Sequence, residues 1–308
     1  HHIDPDADTV ITLRISSKRC APWTEQQEAT SSKSDKIRVK VPPPATPAPP
    51  SDEPSKSEER RIEYHVSSKH LKLASRWFKR AMGTETFLES SRSHEDNLYH
   101  VSAEDWDEDA FLFLMNALHL QQRKIPRPIT LEMLAKIAMV VDYYDCGETL
   151  AYFAETWAVD AKANNDIPEK YCRDLVLWIW VSWVFKLEGD FKMSTEIALK
   201  QLNKGELSAW GLPIPDRILG ELKTRRIQTI EAMIAGLHRW RDKFRSGSYQ
   251  CPSGDSFFCG SILLGALDKQ MHAMGLVSPS LQSPFENTSL AAVGKKVNSI
   301  QSPVWYPH

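Results

Sequence analysis

Tyr64-His65-Val66-Ser67-Ser68-Lys69-His70-Leu71-Lys72-Leu73-Ala74-Ser75-Arg76-Trp77-Phe78 is the stretch on which the fold turns. Ile62, Tyr64 and Val66 alternate with polar residues, the period-2 pattern of a half-buried strand. Apolar residues then recur at helical spacing from Leu71 to Met82, and Gly83 is placed to end the helix as a C-cap. A strand passing directly into a helix points to a mixed architecture.

Upstream, Asp8-Thr9-Val10-Ile11-Thr12-Leu13-Arg14-Ile15 is alternating and rich in β-branched residues, so it reads as a second strand. Between the two strands the composition changes. Seven of the thirteen residues from Pro42 to Pro54 are proline, and Trp23 is the only aromatic residue over residues 16–61. Such a segment cannot bury enough apolar surface to offset its ordering entropy. We read residues 16–61 as a disordered insertion within one sheet. Pro44 and Pro47 form a P-x-x-P spacing, but nothing else supports a ligand role.

Downstream, residues 84–96 read as a polar loop, and Asn97 to Val101 as a short strand. Ser102 or Asp107 offers a side-chain oxygen to cap the next helix, Ala110 to Leu120. Pro126 and Pro128 break the chain. Thr130 is expected to cap a helix reaching Tyr144, and Leu150 to Ala161 forms another. Strands come early and helices later, an α+β arrangement. The rest is helical by pattern: Cys172 to Leu187, Asp190 to Leu202, a long helix opened by Pro213-Ile214-Pro215-Asp216 and closed by Gly247, and Ser256 to Met274. A short apolar stripe (Leu290, Val293, Val297, Ile300) suggests one more. The expected division is residues 1–165, a helical region over 166–275, and a tail over 276–308 with one short helix.

The strand–turn–helix stretch resembles a BTB/POZ domain, whose "x-x-L-x-x-x-S-x-x-F" pattern is matched by Leu71, Ser75 and Phe78, with Val66 and Ala74 also in place. Asp8 is similar to the acidic residue that opens the first strand of that family. Ala110-Phe111 and Leu114-Met115 resemble its middle helix. Leu134-Ala135, Ala138 and Asp142-Tyr143-Tyr144, followed by Leu150, resemble the next. The chain departs from the family at Ser67-Ser68, where His-Lys is usual, and at Ala117-Leu118-His119-Leu120-Gln121, where "F-L-Y-T-G" is usual. Both departures, with Gly211-Leu212-Pro213-Ile214-Pro215 and Leu263-Leu264-Gly265-Ala266-Leu267, look like BTB proteins of filamentous fungi. The resemblance implies a short mixed sheet with helices, and protein–protein interaction rather than catalysis. It implies self-association through Val10, Leu13, Leu73, Trp77 and Phe78. It also implies an adaptor or scaffold role. One form is a cullin-type ubiquitin ligase adaptor contacting its partner through Leu112, Met115, Asn116 and His119. The alternative is a transcription or chromatin accessory protein acting through partners, without binding DNA itself.

Composition bounds the rest. The chain has 308 residues, 42% hydrophobic, with a formal charge of −2. That balance gives no electrostatic case for nucleic acid or an acidic membrane. The longest apolar run, the eleven residues from Leu175 to Phe185, is interrupted by Ser182. It falls short of the roughly 20 residues that cross a bilayer. Ten tryptophans are present. Trp77, Trp106, Trp157, Trp178, Trp180 and Trp183 are expected in helices. Five cysteines at wide spacings, without CxxC, suit a reducing compartment. With no leader-like segment at its start, the chain is expected in cytoplasm or nucleus.

No catalytic signature emerges. Gly260 to Gly265 has the glycine spacing of a phosphate loop, but Ala266-Leu267 follow where Lys-Ser/Thr is needed. Cys251, Cys259 and His272 are the best zinc ligands by type, one short of the usual four. Two unpaired thiols, near a loop and a helix start, are the expected reading. His65, His70, His100 and His119 read as surface residues. Glu104, Asp105, Asp107, Glu108 and Asp109 precede a helix whose N-terminal dipole favours negative charge. No catalytic residue, metal, cofactor or small-molecule substrate is expected.

Overall fold

The computed structural model describes residues 1–15, 60–83, 91–203, 208–252, 254–277 and 282–304. The expected disordered insertion lies outside the described residues except for its last two. Arg60 and Arg61 are ordered and belong to a strand. The P-x-x-P pair, Cys20 and Trp23 also lie outside.

The chain is α+β and forms two compact units. The first is His1–Asp160 with Trp210–Leu212, and the second is Ala161–Ala209 with Pro213–His308. In the first unit β1 (Thr9–Ile15) is the central strand, flanked by β2 (Arg60–Val66) and β3 (Tyr99–Glu104). β1 runs antiparallel to β2, with Thr9 opposite Val66 and Ile15 opposite Arg60. It runs parallel to β3, with Thr9 opposite Tyr99. The sheet is therefore mixed. β3 begins later and ends later than its alternation suggests, because Asn97 has φ 62° and the Leu98 amide donates to the Asp96 carboxylate, holding a turn there.

β2 feeds two short helices, α1 (Ser68–Ala74) and α2 (Arg76–Ala81), where one continuous helix was expected. Ser75 divides them. Its backbone is extended, its hydroxyl donates to the Tyr144 carbonyl at 2.5 Å, and the same oxygen accepts from the Phe78 amide at 3.1 Å. A serine side chain that offers its own backbone partners competes with the helix. The three pattern residues Leu71, Ser75 and Phe78 are all buried.

α3 (Glu108–Leu118), a 3-10 turn (Gln122–Lys124), α4 (Leu131–Tyr143) and α5 (Gly147–Asn164) follow. Asp107 and Thr130 cap α3 and α4 as their positions predict. Trp157 on α5 is buried and donates its indole N–H to the Pro126 carbonyl at 3.0 Å. Trp106 is not helical; it lies in the turn between β3 and α3.

The second unit contains α6 (Arg173–Val184), α7 (Glu188–Gln201), α8 (Asp216–Arg245), α9 (Ser256–Ala273) and α10 (Leu290–Asn298). Every residue of α6 from Leu175 to Ser182 is buried, as an all-round apolar helix requires. α7 packs against it. The segment expected as a tail is not peripheral here: Leu290 and Val293 of α10 join Ile230 of α8 and Phe285 in one apolar cluster. A second cluster of Leu267, Met271 and Leu276 takes Leu237, Phe244 and Ile300 against it. Among the described residues no helix is long and apolar enough to cross a membrane.

Candidate protein-docking surface

The implied self-association residues divide sharply. Val10, Leu13 and Phe78 are core residues, at 5%, 0% and 0% exposure. β1 is paired along both edges by β2 and β3, and Thr9, Val10 and Ile11 at its start are all buried. Leu73 and Trp77 remain at the surface, Leu73 fully and Trp77 in part. The implied cullin-facing set fares worse. Met115, Asn116 and His119 are buried, and only Leu112 is half-buried. α3 turns most of its circumference inward, so these residues do not form an exposed face.

What lies open instead is an aromatic rim. Tyr143, at 52% exposure, is the last residue of α4. Its ring centroid is 5.9 Å from that of Trp77 and 5.2 Å from that of Trp106, and both tryptophans are half-buried. Behind the rim lies a buried aromatic layer. Phe78 stacks on Tyr144 at 4.8 Å with the rings 3° from parallel, and Phe111 meets Tyr144 edge-on at 6.0 Å. Burial pushes the Tyr144 phenol well above its ordinary range, so it stays neutral.

The backbone beneath the rim is tied on both sides. Besides the Ser75–Tyr144 bond, the Arg76 amide donates to the Asp145 carbonyl at 3.3 Å and the Thr149 hydroxyl donates to the Ala74 carbonyl at 3.1 Å. The α1–α2 break is thereby locked to the α4–α5 corner. Trp77 and Tyr143 are presented from fixed positions, which reduces the entropy a partner must overcome. Leu73 lies on α1, one short helix earlier, at 88% exposure. The sequence marked Leu73 and Trp77 but not Tyr143 or Trp106. Adjacent tyrosines at Tyr143-Tyr144 were the available signal, since only one of two neighbours on a helix can face the core.

The acidic run before α3 is engaged structurally. Asp107 caps the Ala110 amide at 3.1 Å and pairs with Lys136 at 3.0 Å; Glu108 pairs with Arg60 at 2.9 Å. His119 is buried, not on the surface as expected. Its Nδ1 faces the Met115 carbonyl at 2.8 Å and its Nε2 accepts from the Ser67 amide at 2.9 Å. Burial, the neighbouring His70 adding to it, holds its pKa below the usual histidine value. Ligand atoms of Asp4, His70 and His119 lie within 4.8 Å of one another. The set does not suit a metal, because both His119 nitrogens are already used and only Asp4 and His70 are left to coordinate.

In the second unit Cys251 and Cys259 are both free thiols, as expected, and their sulfurs lie 3.1 Å apart. His272 does not join them in a three-ligand group among the described residues. No protein-family model matches this chain, and no curated protein matches it.

Proposed function

We propose that this chain is a protein–protein interaction module, an adaptor or scaffold with a BTB/POZ-like first unit and no chemistry of its own. The observation that carries the reading is the rim around exposed Tyr143, whose ring meets those of half-buried Trp77 and Trp106, with the backbone under Trp77 and Tyr143 fixed by hydrogen bonds. Isolated exposed apolar side chains are ordinary. Clustered tryptophan and tyrosine on a rigid base are the composition of an interface anchor, because each ring brings a large contact area for little lost freedom. The mixed sheet with short helices after its second strand supports the family resemblance, and so does the packing of Leu71, Ser75 and Phe78. The partner class is protein, with a second copy of the chain the first candidate.

The test is multi-angle light scattering of the intact chain across a concentration series, beside a Leu73→Asp, Trp77→Ala double variant shown to be folded by circular dichroism. The expected result is a concentration-dependent dimer for the wild type and a monomer for the variant. A wild type that stays monomeric, with protein partners captured equally by both chains, defeats the reading.

A further inference from the structure

We infer that Cys251 and Cys259 form a covalent modification site, a dithiol that closes reversibly into an intramolecular disulfide by exchange with a small disulfide such as oxidised glutathione. The sulfurs are already 3.1 Å apart. Forming a bond of about 2.05 Å asks them to approach by only about 1 Å. Both residues are partly open to solvent, so a small disulfide can reach them.

The local chain holds the pair in place. The Cys251 amide donates to the Ser256 hydroxyl at 3.0 Å, and its carbonyl accepts from the Gly254 amide at 3.1 Å. Gly254 has φ +95°, a conformation that side-chain-bearing residues rarely adopt, so glycine permits this tight return. On the other side, Asp255 caps α9 through the Phe258 amide at 2.9 Å, and its carbonyl accepts from the Cys259 amide at 3.1 Å. Cys251 is therefore folded back over the start of α9, and Cys259 lies in that helix's first turns. Tyr249 packs edge-on against Phe244 at 5.1 Å and fixes the loop from the α8 end.

The other described cysteines lack this setting. Cys146 is buried, and its thiol is pushed up to about 12 by burial and by Asp145. Cys172 has no cysteine partner among the described residues. At Cys259 the contact with Cys251, and then burial, raise the thiol pKa.

The exchange balances in two steps. One thiolate of the pair attacks a sulfur of oxidised glutathione, forming a mixed disulfide and releasing the first glutathione thiolate. The second protein thiolate then attacks the protein sulfur of that mixed disulfide and expels the second glutathione. The protein loses two electrons and two protons, and the glutathione disulfide takes up both as two thiols.

Both cysteines fall in one tryptic peptide, Ser246 to Lys269. The intact chain is equilibrated in glutathione buffers of graded ratio, quenched in acid, alkylated and digested, and the peptide is weighed. The expected product is an unalkylated peptide lighter than the dithiol by two hydrogens, abolished by dithiothreitol and absent in Cys251→Ser. Its fraction in the folded chain is expected to exceed that of the chain in guanidinium at the same ratio by at least tenfold in equilibrium constant. A peptide that is always doubly alkylated, that carries glutathione on both sulfurs, or that closes no better folded than unfolded overturns the proposal.

Discussion

The Asp8 carboxylate accepts two hydrogen bonds from one residue, Ser68: its amide at 2.6 Å on Oδ1 and its hydroxyl at 2.6 Å on Oδ2. Asp8 precedes β1 and Ser68 is the first residue of α1, so this contact fastens the sheet's entry to the first helix. Ser67, at the N-cap position, makes no side-chain cap of its own. Asp8 supplies the missing acceptor from sixty residues away in the chain.

Replacing Asp8 by Ala is therefore expected to destabilise the first unit by about 1–2 kcal/mol, the usual cost of losing a cap strengthened by charge. The pH dependence follows from its direction of shift. Burial raises the Asp8 pKa, but the Ser68 and Thr9 hydrogen bonds and Arg92 overcome it, and the net pKa is lowered. The contribution is then complete above the unfolded value of roughly 3.9 and is lost as pH falls through the lower folded value. Urea midpoints of wild type and Asp8→Asn should differ at neutral pH and converge in acid. A gap that persists at the lowest accessible pH would assign the effect to packing instead.

His119 gives a second acid-sensitive point with a different cause. Its buried ring is neutral, with Nδ1 on Met115 and Nε2 occupied by Ser67. Protonation would put a second proton against the Ser67 amide. The folded pKa lies below the unfolded value of roughly 6.5, so stability is full above that value and declines as pH falls through the folded pKa. Proton NMR of the histidine ring signals should show the His119 signal, assigned by its loss in His119→Gln, titrating below the unperturbed histidine value. A midpoint at or above the unperturbed value would contradict the neutral assignment.

Much of the fold is legible in the pattern, and the exceptions share a cause. Asp107 and Thr130 are readable as caps because a cap is a local device, completed within three residues. The break at Ser75 is not, because its decisive partner, the Tyr144 carbonyl, is sixty-nine residues away. The residues proposed for partner binding show the same limit. The resemblance marked Val10, Leu13 and Phe78 equally with Leu73 and Trp77, but which of them face outward depends on what packs over the sheet and on the break at Ser75 that starts α2 anew. Burial of His119 depends on α3 lying against the β2–α1 turn, again a contact between distant segments.

Arg226 is the plainest case of a residue whose role the sequence hides. It is a charged residue on a long helix and it is fully buried. Its guanidinium donates to the carbonyls of Leu202 at 3.0 Å, Pro284 at 3.0 Å and Phe285 at 2.6 Å, and also to that of Thr288. It thus stitches the end of α7 and the segment before α10 onto α8. Arg226→Ala would leave several buried carbonyls without donors, at about 1–3 kcal/mol each before relaxation. A loss of at least ~3 kcal/mol is expected, and Arg226→Lys should recover little of it, because an ammonium cannot reproduce the planar fork. Chemical denaturation of the two variants decides the matter; an Arg226→Lys chain nearly as stable as wild type would show that charge, not geometry, is what the site requires.

Trp180 and Phe257 test whether exposure, rather than residue type, governs the energetics of the second unit. Trp180 is fully buried on α6, a helix closed in along its whole middle. Phe257 is 86% exposed in the first turn of α9. Both are large aromatic residues, and truncating either removes a similar amount of apolar surface from the chain. Trp180→Ala creates a cavity that close-packed neighbours cannot fill, which costs about 3–5 kcal/mol. Phe257→Ala removes a ring already in water, so its effect should stay within about 0.5 kcal/mol. Against a typical total of about 5–15 kcal/mol, the first change should lower the melting temperature by many degrees and the second should leave it nearly unmoved. Calorimetry on the two single variants reads this directly. Equal losses would mean that α6 tolerates a void or that Phe257 is covered in solution, and the second outcome would be visible as self-association lost in Phe257→Ala.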